Sequence, residues 1–247
     1  MIIGLGTIIN VLAIVAGALI GTLLGDRLPK KTRNVVTDAL GLMTLLVAAL
    51  SIAEIAKPEL TEAVGPGIGV LIVLGSLIFG GITGSYLRLE DCFKSVGKKL
   101  RKSLKKRIKS KDENFVEGFV SASLLFVVGP LAILGSISDG LGKGIEQLAL
   151  KSSLDFFASI AFAASLGIGV AFSALAVGVY QGLFTILGFS LGDILIDSQV
   201  VALTVTGGLL LVGVGFRLLR IKQLPVADLL PALIYAPILV KIWTTFQ

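Results

Sequence analysis

The residues best suited to chemistry lie in a segment that contains glycine and proline near the middle of the chain. Gly129 and Pro130 interrupt an apolar run, and Ser136 and Asp139 follow shortly afterwards. Proline inside a helix frees a backbone carbonyl, which is tolerated at membrane depth where it is buried or lines a water-filled cavity. Such carbonyls, with the oxygens of Ser136 and Asp139, are hard ligands for a cation. The alternative interpretation is a structural kink followed by an ordinary loop.

A second set of polar residues lies in the apolar region 152–190. Asp155 is its one charged residue, and Ser159, Ser165 and Gln181 are candidates to line a polar path with it. An ionisable residue within a membrane span is a functional hypothesis by default. Two structural alternatives stay open. Asp155 has the spacing of a helix cap, and serines in spans also serve as interhelical hydrogen-bond donors.

The first apolar run must position a further polar residue. Residues 2–25 carry no charge and precede a basic cluster, which is the reverse of a secretory signal, so we expect a mature spanning helix. Asn10 in this helix needs hydrogen-bond partners, either structural ones or a substrate. Gly17, Gly21 and Gly25 share one face of the helix. This face indicates close packing within the bundle or, alternatively, a homo-oligomer interface.

Composition places all these residues in a membrane protein. The chain has 247 residues, of which 55% are hydrophobic and 15% charged, and its mean hydropathy is +0.96. Soluble domains carry about 25% charged residues, so an ordinary soluble enzyme is excluded. The chain has no histidine and one cysteine, Cys92. These counts exclude a structural zinc or iron–sulfur site, an intrachain disulfide and histidine-based catalysis. We expect no cofactor, no metal, no enzymatic activity and no nucleic-acid partner.

The apolar runs predict an all-α, polytopic membrane helix bundle that forms a single domain over residues 1–247, with a broken fourth helix. About eight transmembrane helices are expected, at 3–25, 34–53, 66–87, 115–135, 152–169, 171–190, 199–217 and 226–244. The fifth and sixth depend on a tight turn at residues 166–169, because 152–190 is too long for one span. One long tilted helix or a re-entrant pair is the alternative.

The charges of the connections predict the orientation. Alternate connections are basic, with net charges of +3, +7 and +3 for 26–33, 88–113 and 217–222. The other connections carry −2, 0 and −2 for 54–62, 139–151 and 191–198. Cytoplasmic loops of membrane proteins carry the excess of lysine and arginine. We therefore expect a protein of the cell inner membrane with both termini outside and segment 88–113 in the cytoplasm.

Segment 88–113 has the pattern of a basic amphipathic helix. Its apolar residues recur every three or four positions, and lysine and arginine fill the other faces. Such a helix lies on the anionic inner leaflet of the membrane. The predicted residues for lipid-headgroup contact are Lys98, Lys99, Arg101, Lys102, Lys105, Lys106 and Arg107.

Two apolar segments resemble each other. Residues 71–90 and 203–222 align without gaps and match at seven of 20 positions, including Arg88 with Arg220. The similarity predicts a duplicated four-helix unit over 1–137 and 148–247, and chance matching of apolar sequence is the alternative. Repeated halves with broken helices recur in secondary transporters.

Several short motifs together resemble a known family. They include the segments 6–10 (GTIIN), 129–136 (GPLAILGS), 165–170 (SLGIGV) and 230–232 (LPA). On these motifs the chain resembles the YqgA/YdfK-like family of prokaryotic integral membrane proteins over essentially its whole length. Phe156 and Ala176 depart from the family pattern, where glycine and proline are common. The resemblance implies a multi-pass membrane fold and adds no activity, because the family is uncharacterised.

Taken together, these patterns predict a secondary transporter that binds a small solute or ion near the broken fourth helix. Alternating access would occur around a site between that helix and the fifth and sixth helices. Carbonyls near Gly129 would coordinate the solute, and Asp139 or Asp155 would carry the charge coupling. One alternative is a non-transporting scaffold or regulator whose basic helix recruits lipid or a protein partner. Another is an ion channel.

Overall fold

The computed structural model describes residues 2–25, 27–104, 114–191 and 195–246. All regular secondary structure in these ranges is helical, as predicted. Besides two short 3-10 helices, the described elements are α1 (Leu5–Gly25), α2 (Lys30–Ala53), α3 (Pro58–Val64), α4 (Ile68–Tyr86), α5 (Leu89–Leu104), α6 (Phe115–Val127), α7 (Pro130–Gly140), α8 (Glu146–Leu166), α9 (Ser173–Leu191), α10 (Asp197–Leu218), α11 (Val226–Leu229) and α12 (Ala232–Thr245).

The helix lengths fit a polytopic membrane protein. Among the described residues, seven helical segments are long and apolar enough to cross a membrane. The pair α6 and α7 makes an eighth span if it is counted as one, although its two halves are bent by 64°. The predicted break in the fourth helix is therefore confirmed. Its cause is local, because Gly129 has φ 155° and Pro130 has no backbone N–H to continue α6.

The predicted division of residues 152–190 into two helices is confirmed. Helix α8 ends at Leu166, and Gly167 adopts φ +81°, which is unfavourable for any residue with a side chain. A 3-10 helix, Ile168–Phe172, then leads directly into α9. The glycine thus reverses the chain within a few residues.

One predicted helix start was wrong. The fifth helix was expected to start at residue 152, but α8 begins at Glu146, so Asp155 lies in its third turn and does not cap it. Glu146 and Lys151 were assigned to a polar connection, whereas they lie on the helix itself. The connection 54–62 also contains a helix, α3, which starts with Pro58 at its first position.

The chain forms two compact units, and each draws on distant parts of the sequence. The first contains Met1–Gly41, Phe93–Val127 and Leu131–Asp193. The second contains Leu42–Cys92, Val128–Pro130 and Ile194–Gln247. These units do not coincide with the segments 1–137 and 148–247, so the duplication stays a prediction.

The second unit has an apolar core between α3, α4, α10 and α12. This core buries Leu60, Val64, Ile72, Val73, Val201, Ala202, Val205, Ala236 and Val240. A buried ion pair lies in the same unit, where Arg217 Nη1 donates to Glu90 Oε1 at 2.8 Å. The second carboxylate oxygen of Glu90 accepts the N–H of Ala227 at 3.1 Å. The backbone N–H of Glu90 donates to Asp228 at 2.8 Å. These bonds tie the start of α5 to α11 and to the end of α10.

The two similar segments end in the same way. Helix α4 ends at Tyr86 and α10 at Leu218, which are aligned positions. Two residues further on, Arg88 and Arg220 have φ values of 52° and 58°. Among the described residues these are the only non-glycine residues with positive φ. A left-handed arginine costs about 1 kcal/mol or more, so the shared geometry goes beyond a match of apolar composition.

Helix α5 packs through part of its apolar face. The ring of Phe93 lies 6.3 Å from the ring of Phe119 on α6, and Gly97 is buried against the same ring. On α5, Lys98, Lys99 and Lys102 are exposed and Arg101 is half-buried. The remaining predicted headgroup residues, Lys105, Lys106 and Arg107, lie outside the described residues.

Candidate functional site

Helices α1 and α8 form a close, parallel pair in the first unit. The glycines at steps of four on α1 face backbone carbonyls at steps of four on α8. A Cβ atom at Gly17, Gly21 or Gly25 would lie 2.2–2.4 Å from the carbonyl oxygens of Phe156, Ile160 and Ala164. Only glycine permits this approach. A second copy of the chain would have to displace α8 to reach these glycines, so they serve packing within the chain.

Near the middle of α8, Asp155 is held by two buried partners. Lys151, one turn earlier on the same helix, donates from Nζ to both carboxylate oxygens, at 2.7 and 3.0 Å. Asn10 on α1 donates from Nδ2 to Asp155 Oδ2 at 3.0 Å. Lys151 and Asp155 are 8% and 6% exposed, and Asn10 is fully buried. An ion pair is thus enclosed about halfway along a helix that can span a membrane.

Two further buried polar residues share faces with this pair. Ser159 lies four residues after Asp155, on the same face of α8, and its Cβ is close to the position of Gly17. Gln181 lies on α9 between two positions that contact α1, since Thr185 pairs with Thr7 and Gly178 packs on Val11. Both Ser159 and Gln181 are fully buried.

The direction of α9 brings Gln181 towards Asn10. Position 185 of α9 meets position 7 of α1, and position 178 meets position 11, so the two helices are antiparallel. Gln181 and Asn10 both lie between these two contacts. We call Asn10, Lys151, Asp155, Ser159 and Gln181 the Asp155 cluster. It is built by three helices from segments that are far apart in the chain.

Several atoms of the cluster have unused hydrogen-bonding capacity. Among the described residues, Asn10 Oδ1, Ser159 Oγ, and Gln181 Oε1 and Nε2 are buried without a hydrogen-bond partner. A buried polar group without a partner costs about 1–3 kcal/mol. Four such atoms lie on three helices, and each could form a hydrogen bond with a polar ligand.

Three of the predicted site residues, Asn10, Asp155 and Ser159, lie together along the contact between α1 and α8. A fourth, Gln181, lies on the face of α9 that packs against α1 beside Asn10. Sequence reasoning missed the fifth member, Lys151, because it was assigned to a connection. The available signal was its spacing, since a lysine and an aspartate four residues apart on one helix are neighbours.

Asp139 has a different role from the one expected of it. Its two carboxylate oxygens accept the backbone N–H groups of Gly4 and Gly6, at 3.2 and 3.0 Å. These donors belong to the start of α1, where a helix has N–H groups without internal partners and a favourable dipole for an anion. Asp139 therefore caps α1, and it does not join Asp155 in one site.

The other predicted residues are also engaged elsewhere. The hydroxyl of Ser136 donates to the carbonyl of Ala132 within α7 at 2.6 Å. The hydroxyl of Ser165 donates to the carbonyl of Arg33 at 2.6 Å, ten residues beyond Asp155 on α8. Gly129 and Pro130 belong to the second unit. The predicted ligand set of Gly129, Ser136 and Asp139 is thus not assembled within the first unit.

The described residues contain no group of three or more acidic, cysteine or histidine residues placed to hold a metal ion. The Asp155 cluster offers instead one carboxylate, one ammonium, two amides and one hydroxyl. This set can exchange hydrogen bonds or ion pairs with a small polar ligand.

Similarity to known proteins places this chain in one family. A family model described as "Protein of unknown function (DUF554)" matches residues 5–241. "Uncharacterized protein YqgA" of Escherichia coli (strain K12) is 30% identical over 243 residues, which cover 98% of both chains. "Uncharacterized membrane protein YdfK" of Bacillus subtilis (strain 168) is 28% identical over 241 residues, 98% of this chain and 97% of its own. No solved structure matches. The chain is a membrane protein and belongs to the DUF554 family, whose function is unknown.

Proposed function

We propose that this membrane protein is a secondary transporter that binds a small polar solute or ion at the Asp155 cluster. The observation that carries the proposal is a buried ion pair, Lys151 with Asp155, accompanied by unpartnered amide and hydroxyl atoms on three helices that are long and apolar enough to span a membrane. Charged groups at this depth are costly and typically mark a substrate or ion pathway. Alternating access would expose the cluster first to one side of the membrane and then to the other.

The same proposal includes an orientation in the cell inner membrane. We infer that both termini lie outside and that α5 lies at the cytoplasmic surface. The alternation of basic connections with neutral or acidic ones supports this orientation. Helix α1 runs parallel to α8 and antiparallel to α9, as a path of eight crossings requires. These directions support both termini lying on the same side of the membrane.

The test is a thermal-stability screen of the purified protein against cations, anions, amino acids, organic acids and nucleobases. A ligand that binds only the folded state stabilises it by about 2.7 kcal/mol at 100 times its dissociation constant. We expect a solute that raises Tm in the wild type and loses this effect in Asp155→Asn. Flux of that solute into proteoliposomes should be lost in the same variant.

A matched control lies on the same helix. Ser153 is exposed, and Ser153→Ala should keep both the Tm response and the flux. Equal responses in the wild type and in a folded Asp155→Asn protein would remove the cluster from the mechanism. A screen without any response would favour the scaffold alternative instead.

For α5 we propose contact with anionic lipid headgroups. Its exposed lysines, Lys98, Lys99 and Lys102, lie on a helix held to α6 through Phe93, which supports a fixed basic surface. Replacing the three lysines by glutamine should weaken the stabilisation of the purified protein by anionic lipid. The Tm response to a transported solute should not change, because these residues are outside the Asp155 cluster.

A further inference from the structure

We propose that the ligand of the Asp155 cluster is a monovalent metal cation that competes with the ammonium group of Lys151 for the Asp155 carboxylate. This inference rests on the proposed function and names the chemical class of its ligand. In the structure, the lysine ammonium occupies the position next to the carboxylate, as a bound cation would.

Three of the four unpartnered atoms of the cluster are oxygens, and the fourth is Gln181 Nε2. Asn10 donates through Nδ2 to the carboxylate, which leaves its Oδ1 without a partner close to the same carboxylate. Gln181 Oε1 and Ser159 Oγ are also buried and unpartnered in the part of the chain described here. A carboxylate, two amide oxygens and a hydroxyl are hard oxygen ligands, which alkali cations prefer.

The charge of the site indicates that its ligand carries a single positive charge. Asp155 is the one acidic member of the cluster, so displacement of the lysine leaves a charge of −1 to be balanced. Divalent sites generally use more than one carboxylate, and the described residues offer no cluster of three acidic groups. An anion is disfavoured, because Lys151 already directs its donors at both oxygens of Asp155.

The displaced ammonium has a second partner within reach. Lys151 Nζ lies 5.9 Å from the centroid of the Phe126 ring on α6. An aromatic face attracts a cation at this distance, and the attraction increases when water is excluded. The lysine can therefore move off Asp155 when the cation binds and return when it leaves. The Asp155 carboxylate has a positive partner in both states.

The experiment measures Tm of the purified protein in a buffer whose only cation is N-methylglucamine. Lithium, sodium or potassium chloride then replaces N-methylglucamine chloride at constant ionic strength. We expect at least one ion to raise the Tm of the wild type, with no rise in Asp155→Asn. In Lys151→Met the competitor is absent, so half of the response should occur at a concentration at least tenfold lower.

Two further variants separate competition from a structural effect. Lys151→Arg keeps the charge and binds a carboxylate through two nitrogens, so a higher ion concentration should be needed. Lys241, exposed on α12, gives the matched control Lys241→Met, which should behave as the wild type. A merely structural role of Lys151 would not lower the concentration of ion required.

Each outcome decides between the two proposals. The cation proposal is contradicted if no ion raises Tm in either the wild type or Lys151→Met. It is also contradicted if Lys151→Met and Lys241→Met respond to the ion alike. An organic solute that still acts through Asp155 would then leave the transporter proposal standing. If Lys151→Met does not fold, a wild-type response unchanged in Lys151→Arg contradicts the competition. No Asp155-dependent response to any solute or ion would contradict both proposals.

Discussion

Asp139 and Asp155 are two buried carboxylates that the structure uses differently. Asp139 accepts two backbone N–H groups at the start of α1, so its charge is balanced by a helix end. Asp155 accepts a side-chain ammonium and an amide, and unpartnered atoms lie nearby. The first arrangement stabilises the fold, whereas the second leaves capacity for a ligand.

This distinction gives a prediction for Asp139→Ala. Loss of a capping carboxylate costs about 1 kcal/mol, so Tm of the purified protein should fall. The response of Tm to the transported solute should remain, since the Asp155 cluster is intact. Ser138→Ala is the matched control at the neighbouring position and should change Tm little. A folded Asp139→Ala protein that no longer responds to the solute would show that Asp139 also takes part in binding.

At the residue level, the sequence identified the polar side chains within apolar helices, but it did not predict which of them lie close together. Asn10, Asp155, Ser159 and Gln181 were recognised because polar residues are rare in apolar runs. Ser136 and Ser165 were selected for the same reason, but their hydroxyls bond to backbone carbonyls. A single sequence does not distinguish these cases, because the alternatives differ only in the position of a neighbouring helix.

At the level of elements, the seam between α1 and α8 positions the Asp155 cluster. Its three glycines let the backbones approach, and this approach brings Asn10 to Asp155. The spacing of the three glycines predicted that they share one face of α1. The sequence did not predict that this face packs on α8, because α8 lies more than one hundred residues further along the chain.

Gly21 gives the test of this seam. A Cβ in Gly21→Ala would meet the Ile160 carbonyl oxygen at 2.2 Å, so the helices must separate. We expect a loss of about 1–3 kcal/mol, the usual cost of overpacking, measured by thermal unfolding. The control is Gly182→Ala on α9, where a Cβ would meet nothing within 4 Å. There, alanine should be neutral or stabilise by up to about 1 kcal/mol. Equal Tm values for the two variants would contradict the close packing.

For the whole molecule, composition and hydropathy predicted the fold class and the number of helical segments. Eight spans were predicted from the apolar runs, and the described residues form seven helical segments that can span a membrane and one bent pair of helices. The two compact units were not predicted, since each combines segments from both halves of the chain. Hydropathy reports how strongly a segment prefers lipid, whereas contacts between helices depend on shape and on a few polar groups.

As the site of a secondary transporter, the Asp155 cluster would open alternately to the two sides of the membrane. This property can be tested without knowing the solute. Cys92 is the only cysteine, so Ser159→Cys in a Cys92→Ser background places one thiol in the cluster. The measurement is its reaction with a small, membrane-impermeant thiol reagent, applied separately to each face of oriented vesicles. Wild-type Cys92, which is exposed, should react from the cytoplasmic side alone and reports sidedness.

We predict that the thiol at position 159 reacts from both sides, although Ser159 is fully buried in this structure. The control, Ala202→Cys in the same background, lies in the apolar core of the second unit and should react from neither side. Reaction of the thiol at position 159 from one side only would contradict alternating access. A thiol at position 159 as unreactive as the one at position 202 would contradict the site itself.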